Sequence, residues 1–174
     1  ERLKRWAKIT DTLYIWHYCI NFAHYLLPFP DFTQLAASVP MYKQSGVKGI
    51  FMEGGYPPGG GTDWAELRSF VLAKQLWNYK TDIYTVIDDF LNGVYGNAAK
   101  PLRAYFDLLH NKVKDPQEHF FIYSPPTMSY LSDDIINQAD KLFDQAEVIA
   151  DNPEILARVR QARLGIRYVH LSRD

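Results

Sequence analysis

Two short apolar runs and a series of longer amphipathic stretches make up the chain, and the two kinds repeat with different periods. Residues 12–18 (Thr-Leu-Tyr-Ile-Trp-His-Tyr) are rich in aromatic and β-branched side chains, which predicts a strand. Alternation puts Leu13, Ile15 and His17 on one face and Tyr14, Trp16 and Tyr18 on the other. Residues 49–52 form a second apolar run. It is bounded by glycine and too short for a helix, so it reads as a buried strand. That run stops at a carboxylate, Glu53, followed by Gly54, Gly55, Tyr56 and the turn-rich segment 57–61. The two runs lie about 30 residues apart, the size of a βαβ unit, which makes them parallel and joined by a right-handed crossover.

Helical periods fill the remainder. Leu3, Trp6 and Ile9 predict a helix over 2–9. Residues 31–45 read as helix interrupted at Pro40, with Ser38 capping a second short piece and Gly46 stopping it. Asp63 and Glu66 have the spacing of a capping box for a helix reaching about residue 79, with Trp64, Leu67, Phe70, Val71 and Trp77 along one face. Thr81 or Asp82 caps the next, whose Ile83, Val86, Ile87, Phe90, Leu91 and Val94 follow the i, i+3, i+4, i+7 pattern, and Gly96 ends it. Further helices are predicted over 98–113, over 132–150 and from Asn152-Pro153 onward, with 115–131 irregular and 119–123 a candidate extended segment.

Strand, helix, strand, helix and a helical tail is how a (β/α)8 barrel ends. The expected fold class is therefore α/β: the last two barrel strands, seven and eight, followed by an α-helical region, predominantly helical overall. Residues 1–80 would be the barrel part and 81–174 the helical region packed on it. Two parallel strands do not make an independent sheet. Either preceding chain completes the sheet, or helices patch it. The first arrangement fits a chain that opens at Glu1, without Met or signal peptide, in a running helix pattern.

Composition narrows the function classes. With 47% hydrophobic and 22% charged residues the chain is globular, and a net charge of −1 gives no reason to expect nucleic acid or an anionic membrane. No apolar run approaches the ~20 residues of a membrane span. The single cysteine, Cys19, excludes an intrachain disulfide and a cysteine zinc cluster, and reads as an inert buried thiol. The histidines show no HxxxH pattern, so no metal and no cofactor are expected. Aromatic residues reach 15%, which suits a core and also a sugar-binding cleft.

Glu53 is the residue whose placement most needs explaining, because ligands of α/β proteins bind at the C-terminal ends of strands. It reads as a sugar-hydroxyl ligand or catalytic helper, or as a structural carboxylate held by the amides of Gly54 and Gly55. Trp16 and Tyr18 are cleft platforms or core rings. His17 is a substrate contact or a satisfied buried histidine. Asn21 and Tyr56 sit on loops, where barrel function is carried, and are candidate sugar contacts. Asp88 and Asp89, and the arginines from Arg158 to Arg167, read as solvated, salt-bridged faces.

Five segments follow one another at a familiar spacing: 13–18 (Leu-Tyr-Ile-Trp-His-Tyr), 28–31 (Pro-Phe-Pro-Asp), 46–54 (Gly-Val-Lys-Gly-Ile-Phe-Met-Glu-Gly), Glu66-Leu-Arg through Leu-Ala-Lys-Gln-Leu-Trp77, and Phe90-Leu through Tyr95-Gly96. Over roughly residues 10–112 they resemble the C-terminal part of a bacterial glycosidase family long catalogued as a domain of unknown function. That family includes endo-β-N-acetylglucosaminidases acting on complex N-glycans and is distantly related to α-glucuronidase and β-hexosaminidase barrels. The resemblance implies a glycoside hydrolase, secreted, periplasmic or at the cell surface, whose partners are a glycan substrate and the N-terminal remainder of the barrel. It also implies that the acid/base residues follow strands four to six, outside this chain. A non-catalytic carbohydrate-binding protein on a degenerate barrel and a helical interaction module are the alternatives.

Overall fold

The computed structural model describes residues 1–56 and 61–174; of the predicted turn-rich loop, residues 57–60 lie outside the described residues. The fold is predominantly helical with one small sheet. A short helix, α1 (Arg2–Trp6), buries no residue and precedes strand β1 (Tyr14–Tyr18). Helix α2 (Phe32–Gln44) leads to strand β2 (Gly49–Glu53). The strands pair in parallel, as their separation predicts, with Tyr14 opposite Gly49, Trp16 opposite Phe51 and Tyr18 opposite Glu53. Alternation then places Ile15, His17, Ile50 and Met52 on one face, and Tyr14, Trp16, Tyr18, Phe51 and Glu53 on the other. Helices cover the first face. His17 Nδ1 lies 2.7 Å from the Tyr42 hydroxyl of α2, and Met52 packs against Cys19, Ile20, Leu35 and Leu72. The Cys19 thiol is pushed up to about 12 by burial. The second face is open: Trp16 is 63% exposed and Phe51 54%.

Helix α2 runs unbroken through Pro40, against the predicted interruption, and Ser38 is one of its buried interior residues rather than a cap. Pro40 has no N–H for the carbonyl of Ala36 four residues earlier. That carbonyl instead accepts from Gln75 Nε2 at 3.1 Å, a buried side chain on α3 (Ala65–Trp77). The orphan group is satisfied from a neighbouring element, so the helix has no reason to end. Gly46 follows in the left-handed region at φ 78°, the conformation a helix stop favours. Gln75→Leu is expected to lower unfolding free energy by about 1 kcal/mol, near the lower end for a buried acceptor left alone, because Gln75 Oε1 is itself unpartnered. Urea denaturation measures it; an unchanged midpoint would show that Ala36 finds another donor.

The helical region adds α4 (Ile83–Tyr95), α5 (Ala99–Lys112), α6 (Asp133–Val148), α7 (Pro153–Ala162) and α8 (Leu164–Arg173). Asp82 caps α4 by accepting from the Tyr84 amide at 3.0 Å, and Asn152 caps α7 through the Ile155 amide at 2.9 Å. The predicted last helix is two. The break falls at Arg163, whose guanidinium is held by Asp140, Asp144 and Glu147 of α6. No strand forms over 119–123; the loop after β1 meets this segment through one backbone bond, from the Phe22 amide to the Ile122 carbonyl at 2.6 Å, and through Phe29 edge-on to Phe120. The main core joins Leu67 and Val71 of α3 to Ile87, Leu102, Tyr105 and Phe143. Apolar packing is thus continuous across residue 80. Among the described residues no helix is long and apolar enough to cross a membrane.

Candidate functional site

The C-terminal edge of the open sheet face carries the candidate site. Register sets Tyr18 beside Glu53 and Trp16 one step back on the same face. From that diagonal position the Trp16 indole N–H donates to Glu53 Oε2. Trp16 also meets Phe51 edge-on at 4.7 Å between centroids, and Tyr18 meets Phe22 at 5.2 Å. Among the described residues Glu53 Oε1 has no hydrogen-bond partner. The result is an aromatic ledge ending in a carboxylate with one oxygen engaged and one available. This is chemistry suited to a ligand with an apolar face and hydroxyl donors.

The other candidates lie elsewhere. His17 points to the helix-covered face, where burial, and next Arg68, lower its pKa and so favour the neutral ring against Tyr42. Asn21 is buried: its Nδ2 donates to the Ser124 carbonyl at 2.7 Å, and its Oδ1 accepts from the amides of Ala23 and His24 at 2.9 Å each. It shapes the loop after β1. Tyr56 is 96% exposed, three residues beyond Glu53. Trp16, Tyr18 and Glu53 are the residues brought together.

A buried charge cluster beneath these loops was not foreseen. Arg68 of α3 donates to Asp31 and, at 3.0 Å, to the Phe29 carbonyl, lies 4.0 Å from Asp63, and covers the Phe32 ring. Asp63 is therefore not the cap of α3 that the Asp63–Glu66 spacing predicts. Its Oδ2 turns inward to accept from the Phe29 amide at 3.0 Å, and α3 starts after Trp64, held at φ 50°. Burial raises Asp31, and pushes Asp63 to about 7, while Arg68 opposes both shifts. The cluster joins the loop after β1 to the loop after β2, the two loops that flank the site. A signal was present: Arg68 and Gln75 are polar residues on the inward stripe of Leu67, Val71 and Leu72. Among the described residues no group of three or more His, Cys, Asp or Glu is placed to hold a metal.

A family model described as a domain of unknown function, DUF4838, matches residues 1–107. The chain belongs to DUF4838. The matched part contains both strands, Glu53, the whole Asp31–Arg68–Asp63 cluster and most of α5; α6 to α8 lie beyond it. DUF4838 therefore covers the candidate site in full. No curated protein and no solved structure gives a match.

Proposed function

We propose that this chain is part of a glycoside hydrolase and that the open sheet face is one wall of its sugar-binding cleft. The observation that carries the reading is the asymmetry of the sheet: one face is covered by helices, while the other exposes Tyr14, Trp16, Tyr18 and Phe51 and ends in Glu53. The last two strands of a (β/α)8 barrel have this asymmetry, with the outer face on helices and the C-terminal edge at the barrel mouth. The DUF4838 match over the same residues agrees with the family resemblance of the sequence. On this reading residues 1–80 close the barrel, 81–174 pack on it, and preceding chain supplies the other strands. Trp16 and Tyr18 are platforms for sugar rings, Glu53 accepts hydrogen bonds from sugar hydroxyls, and Tyr56 approaches from the loop. His17 and Asn21 hold the strand and its loop in place. The carboxyl pair that cleaves the glycosidic bond belongs to strands four to six. The substrate is a complex glycan met outside the cytoplasm, in the periplasm, at the cell surface or in the medium.

A second reading is a non-catalytic carbohydrate-binding protein. It is favoured by the fact that Glu53 is the sole carboxylate on that face among the described residues.

Glu53→Gln in the intact enzyme keeps an acceptor for Trp16 and removes the charge. A charge-assisted hydrogen bond contributes about 1.5–3 kcal/mol, so kcat/KM for glycan hydrolysis is expected to fall about ten- to a hundred-fold. A loss above ~10⁴-fold would give Glu53 a direct role in proton transfer. Unchanged hydrolysis would remove Glu53 from the site.

A further inference from the structure

A separate cavity of about 390 Å³ opens between the start of α3, the end of α4 and the α7–α8 corner. Its walls combine two kinds of surface. Trp64, Phe90 and Tyr95 supply aromatic rings, with Trp64 edge-on to Tyr95 at 6.1 Å. Asp63, Glu66, Arg158 and Gln161 supply polar groups.

The polar groups are organised but not saturated. Gln161 Nε2 donates to Glu66 Oε1 at 3.2 Å, which leaves Glu66 Oε2 and Gln161 Oε1 with no partner among the described residues. Arg158 gives one N–H to the Val94 carbonyl at 3.0 Å and another to Glu154, so its five-donor fork retains donors. Asp63 is more than nine-tenths buried, and its Oδ2 is taken by the Phe29 amide. Its Oδ1 has no hydrogen bond among the described residues and lies under Gly165 of α8. A Cβ at 165 would come within 3.4 Å of that oxygen and 3.0 Å of the Leu26 carbonyl, so a side chain there would crowd this wall of the cavity. Trp64, the non-glycine residue with positive φ among the described residues, is the residue whose indole forms the wall. Held strain of this kind concentrates where a side chain must be aimed.

The charges select the ligand. Arg158 opposes an organic cation and Glu66 opposes an anion, while unsaturated donors and acceptors disfavour a hydrocarbon. A neutral molecule with an apolar face and several hydroxyls satisfies all three conditions. The geometry points to a second saccharide site here, built by Trp64, Tyr95, Glu66, Arg158 and Gln161 and sized for one or two sugar units. It is formed by residues other than those of the sheet face and does not depend on the hydrolase reading.

The test uses the indole N–H resonances of the ¹⁵N-tryptophan-labelled protein, assigned by single Trp→Phe variants. Methyl glycosides of glucose, galactose, mannose and N-acetylglucosamine are titrated in turn. At least one is expected to shift the Trp64 resonance, with apparent affinity reduced at least tenfold in Gln161→Ala and in Glu66→Gln, both exposed positions, and unchanged in Glu53→Gln. Two results would overturn the inference: no movement of Trp64 with any of the four, or a Trp64 shift that keeps its affinity in both variants. Failure of the sheet-face reading leaves a different trace, a Trp16 resonance that never responds to glycan.

Discussion

Replacing Arg68 by alanine is expected to cost about 3–5 kcal/mol of stability, the penalty for removing one partner of a buried charge group. The guanidinium is 3% exposed as a residue, and it lies between two carboxylates that are themselves buried. Without it, Asp31 and Asp63 have no neighbouring cation, and the Phe29 carbonyl loses a donor. The loss depends on pH in a defined direction. Burial raises Asp63 from 3.8 to about 7 in the folded state, so the folded protein holds its proton more tightly than the unfolded chain does. The stability this proton contributes is complete below about pH 4 and is lost as pH rises through about 7. Arg68 lowers both Asp31 and Asp63, so its removal deepens the loss on the alkaline side. Urea denaturation of Arg68→Ala against wild type should show a larger difference at pH 8 than at pH 5. A difference below about 1 kcal/mol, or one that does not change with pH, would mean that the three groups do not share a buried charge balance.

Phe143→Ala should be of similar size, about 3–5 kcal/mol by the large-to-small rule for a fully buried ring. Phe143 of α6 is inaccessible to solvent, meets Tyr105 of α5 at 4.7 Å between centroids, and carries the Arg163 guanidinium over its face. The α5–α6 contact is thus centred on this ring. Phe90 provides the contrast. The sequence periodicity puts it on the inward stripe of α4, but it is only partly buried, against Phe70 and Tyr95 at the border of the core. Phe90→Ala is expected below about 2 kcal/mol, because part of its area is never removed from water. Calorimetric melting of the two variants checks the order; Phe90→Ala costing as much as Phe143→Ala would place α4 deeper than its burial shows.

What the sequence made legible follows from the range of the interactions concerned. Period-two alternation in 12–18 is local and gave the correct faces for Trp16, Tyr18 and His17; the short apolar run at 49–52 gave the second strand, and the separation of the two gave their parallel pairing. The α4 stripe and the caps at Asp82 and Asn152 are local as well. The misses are long-range. Pro40 stays inside α2 because its vacated acceptor is satisfied by Gln75, 39 residues beyond Ala36. Asp63 fails as a cap because an amide at Phe29, 34 residues away, takes its carboxylate. The indole-to-carboxylate bond between Trp16 and Glu53 depends on strand register, which neither strand encodes alone. The cavity beside Trp64 draws its lining from four helices and its polar groups from residues 63–66 and 158–161, and no sequence window contains them together.

Sugar bound on the aromatic sheet face would be reported directly by the Trp16 indole proton, because that proton is bonded to Glu53. ¹⁵N-tryptophan spectra of the intact protein, recorded while a complex N-glycan fragment is added, should show the Trp16 resonance moving saturably. The Trp77 indole, 91% exposed on α3, serves as the reference that stays in place. Glu53→Gln should weaken the Trp16 response about ten- to a hundred-fold, as expected when one charge-assisted hydrogen bond is lost. A Trp16 resonance that remains fixed throughout the titration would contradict the assignment of this face to a sugar-binding cleft.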